Sequence, residues 1–361
     1  MKDIRWKLAA LAAAAIVAAC GGETADGPSN KVGINAMVSF GDSLSDVGSY
    51  NVGSIAGLGQ ATGGAGRFTV NATTGGQIWT ERIAALLPVP TTCPATTGLS
   101  PSPQTGLTGA PFTAKSGCFN YAQGGSRVTS PYGVNSYLFQ APPFNQINLG
   151  AMTKPVKDQM SAHLTASGGS YTGKELVTVL AGANDVFMEL ATVAAGAQTP
   201  QAAVTNVATA GSSRLVVAKG AKQVLVLNMS LTLAGRRLAE HQSARRQGLI
   251  EAMNQAFNAQ LAAQLTGVSG VVLGDLYSES QAIAANPAQY ALTNVSTPVC
   301  GPNALSNPPS KPGTSLVCNA SNVIKGDISH YGFADDVHPT PYGHQLVSQF
   351  ASKLMAQAGW L

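Results

Sequence analysis

The sequence predicts an α/β fold, a parallel sheet covered on both faces by helices. Three observations carry that expectation. Apolar runs of strand length stand at 35–40, 176–180, 223–227 and 270–273. Longer segments between and after them space their apolar residues as helices do. No internal repeat divides the 361 residues, so one large domain can take in the mature chain. Short buried strands that alternate with helices need crossover connections, which place helices on both faces of the sheet. In such sheets a site lies outside the carboxyl ends of the strands.

The elements follow in chain order. Ala36-Met37-Val38-Ser39-Phe40 is apolar enough for a first buried strand. The Gly-rich stretch 57–66 reads as a loop near a site mouth; Thr62 stands where a dinucleotide fingerprint needs its last glycine. A helix over 77–87 has Ile78, Ile83, Leu86 and Leu87 as its stripe, and Pro94, Pro101, Pro103 and Pro111 make 90–117 loop-like. After the strand at 176–180, a helix over 199–219 starts near Pro200. The strand at 223–227 leads to a helix over 245–265, where Leu249, Met253, Phe257 and Leu261 recur every four residues as core packing. After the strand at 270–273, residues 294–325 form a second loop insertion. A last helix over 341–358 carries Leu346, Val347, Phe350, Leu354 and Met355 on one face. Thr340 caps it and Pro341 takes its first position.

Composition narrows the class. Apolar residues are 45% and charged residues 11%, which excludes a coiled coil and a charged disordered tail. With 40 glycines and 20 prolines the chain is neither collagen nor low-complexity. The net charge is +4, and Lys2, Arg5 and Lys7 against Asp3 supply half of it, so no basic face for nucleic acid is expected.

The N-terminus reads as an export signal over 1–19: a positive start, an apolar run from Leu8 to Val17 too short to span a bilayer, then Val17-Ala18-Ala19-Cys20. Small residues before a cysteine resemble a bacterial lipobox, which makes Cys20 a lipidation site. Residues 20–34 suit a flexible tether, leaving 35–361 as the domain. The expected location is therefore an exported one, as an outer-membrane lipoprotein or a freely secreted protein, with the anchor as the only membrane contact. Without Cys20 four cysteines remain, and they allow three pairings. The local choice, Cys93–Cys118 and Cys300–Cys318, closes the insertions at 91–118 and 294–325. No C-x-x-C occurs, so no zinc site is expected.

Four motifs fall where chemistry wants them. Gly41-Asp42-Ser43-Leu44-Ser45-Asp46-Val47-Gly48 follows the first strand, and a turn there lifts the Ser43 hydroxyl to the top of the sheet. A serine hydroxyl needs a base and an oxyanion site to act as a nucleophile. Asp335-Asp336-Val337-His338-Pro339 puts a carboxylate three residues before an imidazole, close enough to fix its tautomer. Gly182-Ala183-Asn184-Asp185 brings a side-chain amide to a strand end, where it is either an oxyanion donor or a turn residue. Asn120-Tyr121-Ala122-Gln123-Gly124-Gly125-Ser126 exposes backbone N–H groups at its paired glycines.

Taken together, and with Gly66-Arg67-Phe68, Trp79 and Glu81, these motifs resemble the GDSL (SGNH) family of serine esterases and lipases, from about Ala36 to Leu354. The branch it is most similar to carries Gly-Asp-Ser-Leu-Ser-Asp-x-Gly and includes bacterial outer-membrane esterases and plant lipases. The stretch Asn228-Met229-Ser230-Leu231-Thr232 departs from that branch in lacking its prolines. The resemblance implies a three-layer α/β/α sandwich and hydrolysis of carboxylic esters without metal or cofactor. It implies Ser43 as nucleophile, His338 as base and Asp335 as the group that orients it. The Ser43 and Gly125 N–H groups and the Asn184 amide would form the oxyanion hole.

Two other readings stay open: a phospholipase or acyltransferase on the same triad, and a non-catalytic surface binding protein that kept the fold. The expected partner is an ester or lipid substrate, with the chain a monomer. Ser45 and Ser126 do not directly end a strand, Asp336 stands one residue too close to His338, and His163, His241, His330 and His344 read as structural.

Overall fold

Strand β1 (Ala36–Gly41) is buried nearly throughout, and β4 (Glu175–Leu180) and β5 (Gln223–Leu227) are almost wholly apolar and buried. Strands covered on both faces read as continuous apolar runs rather than alternating ones. With β6 (Val271–Gly274) they form a parallel sheet in the order β1-β4-β5-β6. The register runs Ala36↔Glu175 to Gly41↔Leu180, Leu176↔Gln223 to Leu180↔Leu227, and Val224↔Val271 to Leu227↔Gly274. The strands start and stop within one residue of the positions expected from sequence.

This is a computed structural model, and it describes residues 29–72, 78–103, 105–141, 148–211, 219–231, 244–306 and 311–361. The export segment, Cys20, most of the tether, His241 and residues 212–218 lie outside them.

Side chains alternate across the strands and build two core layers. Val38, Phe40, Val177 and Val226 face helices α3 (Val156–Ala166), α4 (Ala183–Ala194), α5 (Pro200–Gly211) and α6 (Ala244–Leu265). Met37, Leu176, Leu225 and Leu227 face α2 (Trp79–Ala84), α7 (Leu276–Ala285) and the final α8 (Pro341–Gln357). The result is the three-layer α/β/α sandwich. In α6, Met253 and Phe257 are buried in the core and Leu249 and Leu261 pack against it.

Several local expectations are corrected. The stretch read as a Gly-rich loop holds helix α1 (Gly53–Thr62), which packs Gly59 against Ala65. Segment 90–117 contains an antiparallel hairpin, β2 (Thr96–Leu99) with β3 (Ala110–Ala114). Pro111 lies beside its register shift, on an exposed strand where a missing N–H costs little. Helices α3, α4 and α7 had no counterpart in the sequence reading, and α2 ends at Ala84 rather than Leu87. The tether also ends early. Asn30 bonds both backbone groups of Ile34, Lys31 N–H donates to Trp360 O at 3.0 Å, and Ile34 is fully buried, so these residues belong to the domain.

Both disulfides are local, Cys93–Cys118 and Cys300–Cys318, with sequence separations of 25 and 18. They are consistent with an exported protein. Loops of this length correspond to about 3 kcal/mol each in the chain-entropy model. Reduction under mild denaturant is therefore expected to lower the melting temperature by several degrees; an unchanged melting temperature would contradict that.

Candidate active site

The site begins where β1 stops. Gly41 has φ +151°, and a Cβ there would lie 2.2 Å from the Leu180 carbonyl, so only glycine lets β1 turn this close to β4. Gln159 clamps that turn, accepting from Gly41 N–H at 2.9 Å and donating to Gly41 O at 2.8 Å. Ser43 follows at the carboxyl edge of the sheet.

The Ser43 hydroxyl lies 2.8 Å from Nε2 of His338, across 295 residues of sequence. His338 Nδ1 is 2.9 Å from both Asp335 carboxylate oxygens. With its Nδ1–H given to Asp335, the imidazole leaves Nε2 as an acceptor for the hydroxyl. Asp335 also accepts the N–H groups of Ser315 at 2.8 Å, Val337 at 2.9 Å and His338 at 2.8 Å. Burial alone would raise its pKa, but the imidazole and these donors outweigh burial and hold the carboxyl well below the usual range. Phe68 lies against the imidazole with ring centroids 4.9 Å apart, and Thr69 Oγ1 donates to Pro339 O at 2.8 Å. Thr340 caps α8 as expected, accepting from Gly343 N–H at 3.1 Å.

Two further positions line the same cleft as Ser43. Gly125 has φ +82°, and a Cβ there would lie 2.2 Å from Val134 O. Asn184 sits in the first turn of α4, where one amide hydrogen goes to Ser126 O at 3.0 Å and the other has no acceptor among the described residues. Among the described residues, the N–H groups of Ser43 and Gly125 have no protein acceptor. Gly124 N–H, by contrast, is taken up by Asp46 at 2.9 Å, which favours Gly125 of the two.

Sequence reasoning gave Asp46 and Asp185 no role, and both position the site. Asp46 accepts from Gly48 N–H, Ser49 N–H, Ser49 Oγ and Gly124 N–H, tying the serine turn to the glycine loop. Asp185 accepts from Arg127 Nε at 3.0 Å and Val128 N–H at 3.0 Å, tying that loop to α4. The Gly66-Arg67-Phe68 stretch is held by Arg67, whose Nε and Nη2 donate to Glu81 Oε1 at 2.8 and 2.6 Å.

The remaining candidates fall away from the site. Ser45 is buried and accepts from Trp79 Nε1 at 3.2 Å, Ser126 is buried, and Asp336 is exposed. His163 is enclosed by Phe40, Phe119, Tyr121 and Tyr171, His344 is buried in α8, and His330 lies on Tyr342. Among the described residues no group of three His, Cys, Asp or Glu could hold a metal ion, and no helix is long and apolar enough to cross a membrane.

Ser43, Gly125, Asn184 and His338 line one cleft of about 340 Å³. Most of its other walls are apolar, including Phe187, Leu231, Leu99 from the first insertion, and Leu305 and Leu316 from the second.

Asp42 also borders this cleft. Burial pushes its carboxyl up to about 7, partly offset by the Leu44 N–H it accepts at 3.1 Å. The folded form thus binds a proton that the unfolded chain releases near 3.8, so stability from this group is full below that value and lost as pH rises to 7. Asp42→Asn keeps the Leu44 acceptor. It is expected to raise the melting temperature relative to wild type at about pH 8 and to leave it little changed at about pH 4. A difference that does not vary with pH would contradict this.

Residues 37–350 match the family model described as GDSL-like lipase/acylhydrolase. The chain belongs to that family. The match spans the sheet, both insertions and most of α8. Membership in the GDSL-like lipase/acylhydrolase family makes the protein an ester hydrolase in general terms, and the sandwich above is the family's SGNH fold. No individually curated protein matches the chain significantly.

Proposed function

We propose that this GDSL-family protein cleaves carboxylic esters through an acyl-enzyme on Ser43. The observation that carries the reading is the 2.8 Å contact between Ser43 Oγ and His338 Nε2, backed by Asp335 on Nδ1. Ser43 Oγ forms a bond to the ester carbonyl carbon while its proton passes to Nε2. The carbonyl oxygen takes up the negative charge, facing the N–H groups of Ser43 and Gly125 and the free amide hydrogen of Asn184. The carbon–oxygen bond to the alcohol then breaks, and the alcohol leaves with the proton from His338. Water attacks the acyl-enzyme by the same route, giving the acid and free Ser43. Asp335 is an orienting group that stays ionised.

The export reading complements this. Residues 1–19 would be removed, and Cys20 would carry a lipid that tethers a monomeric catalytic domain, in keeping with the two disulfides. A fluorophosphonate probe tests the chemistry. Peptide mass spectrometry is expected to find a stoichiometric adduct on Ser43, and an unlabelled Ser43 in folded protein would overturn the reading.

A further inference from the structure

The carboxylate of Asp335 is held from two directions. The N–H groups of Val337 and His338 donate to Oδ1, but both belong to Asp335's own turn and move with it. Ser315 N–H donates to Oδ2 at 2.8 Å and comes from the second insertion, 20 residues upstream. Among the described residues it is the one donor to this carboxylate from outside the turn 335–338.

Ser315 is itself fixed. It is fully buried and opens a short 3₁₀ turn, Ser315–Val317, capped by Thr314. Its carbonyl accepts from the Asn71 amide at 3.0 Å and from Cys318 N–H at 3.1 Å. Asn71 N–H donates to Cys318 O at 2.7 Å, and Gly66 N–H to Leu316 O at 2.8 Å. Cys318 is bridged to Cys300, whose N–H donates to the carbonyl of Ala334, the neighbour of Asp335, at 2.8 Å. Contacts therefore run in a ring from Asp335 through Ser315, Cys318 and Cys300 back to Ala334. Both cysteines are buried. Thr314 and Leu316, on either side of Ser315, line the cleft.

From this ring we infer that Ser315 is a positioning residue of the triad, held in place by the Cys300–Cys318 bridge, so that the second insertion sets turnover as well as walling the cleft. The inference rests on the ester-hydrolysis reading above and extends it to a residue outside the triad. Ser315 acts through Asp335. While its N–H holds Oδ2, the carboxylate stays turned to Nδ1 and stabilises the imidazolium that forms when Ser43 gives up its proton. Without that donor the carboxylate rotates off Nδ1, and a misplacement of about 1 Å costs on the order of a hundredfold in rate.

Ser315→Pro is the direct test. Proline removes the N–H and suits the first position of a helical turn. It needs an extended residue before it, which Thr314 is, at φ −64° and ψ 143°. Esterase kinetics should show kcat about tenfold to hundredfold lower, with KM within about twofold of wild type. The acid limb of the kcat/KM profile should move to lower pH, because an imidazole that loses its carboxylate deprotonates more easily. Asp42 and His344, the other titratable groups whose charges act on His338, are unchanged in this variant. Loosening of the fold alone would reduce the number of sites that a fluorophosphonate labels and leave the limb where it is.

The bridges give an independent pair of variants. Cys300→Ala with Cys318→Ala keeps the N–H but frees its turn, and should lower kcat by about tenfold and move the limb the same way. Cys93→Ala with Cys118→Ala removes a bridge of comparable span and should keep both at wild-type values. An unmoved limb in Ser315→Pro, an unmoved limb in the Cys300 and Cys318 variant, or equal loss of kcat from both bridges would each overturn the assignment. Should Ser315→Pro fail to fold, the two bridge variants decide. Wild type that leaves Ser43 unlabelled would instead sink the ester-hydrolysis reading; labelled, active wild type with unmoved limbs in the variants removes Ser315 alone.

Discussion

Ser43→Ala is expected to lower kcat for ester hydrolysis by about 10⁴- to 10⁶-fold while leaving the melting temperature close to wild type. Among the described residues the hydroxyl makes one hydrogen bond, to His338, and alanine removes only that oxygen from the cleft wall. Loss of a single hydrogen bond costs about 1 kcal/mol, so the fold survives. The rate falls because no other oxygen can replace this one. Ser45 is committed to Trp79 Nε1 and fully buried, and Ser126 lies inside the loop behind Gly125. Ser45→Ala and Ser126→Ala therefore retain the serine-probe adduct that Ser43→Ala loses. Esterase assay of the purified variants checks this, and turnover above about 1% of wild type in Ser43→Ala would remove Ser43 from its role.

What the sequence made legible depends on the range of the interactions. The four strands were readable because parallel strands covered on both faces become unbroken apolar runs. The start of α8 was readable because Thr340 and Pro341 act within one turn. The pairing of Asp335 with His338 was readable for the same reason: three residues separate them. Helix α1 was not, because Gly57 and Gly59 weaken the local helical signal and packing of Gly59 on Ala65 makes up for it. Helix α4 was hidden by Gly182-Ala183-Asn184-Asp185, residues that as readily form a turn. The hairpin β2–β3 was masked by four prolines. Asp46 and Asp185 went unassigned because their partners, Gly124 and Arg127, lie 78 and 58 residues away. Only the fold brings those pairs together, and with them the two loops that flank Ser43.

Asp335→Asn should lower kcat by about 10³- to 10⁴-fold with little change in KM. The carboxylate has no spare orientation: one oxygen accepts from Val337 and His338 N–H, the other from Ser315 N–H, and both face Nδ1. An amide must turn its NH₂ toward one of these donors. In either orientation it also faces Nδ1, where it stabilises the tautomer that carries hydrogen on Nε2, which cannot accept the Ser43 proton. Turned toward Ser315, it loses that N–H as well and the second insertion loosens around the cleft. Stability falls too, with a definite pH dependence. The lowered pKa of Asp335 means its contribution is present above 3.8 and lost as pH falls through the folded value. The deficit of Asp335→Asn in melting temperature should therefore be full at about pH 7 and shrink on acidification below about pH 4. Asp336→Asn, exposed one residue along, is the control and should keep wild-type rates. Equal damage from both substitutions would mean that loop charge, not orientation of the imidazole, is what the hydrolysis requires.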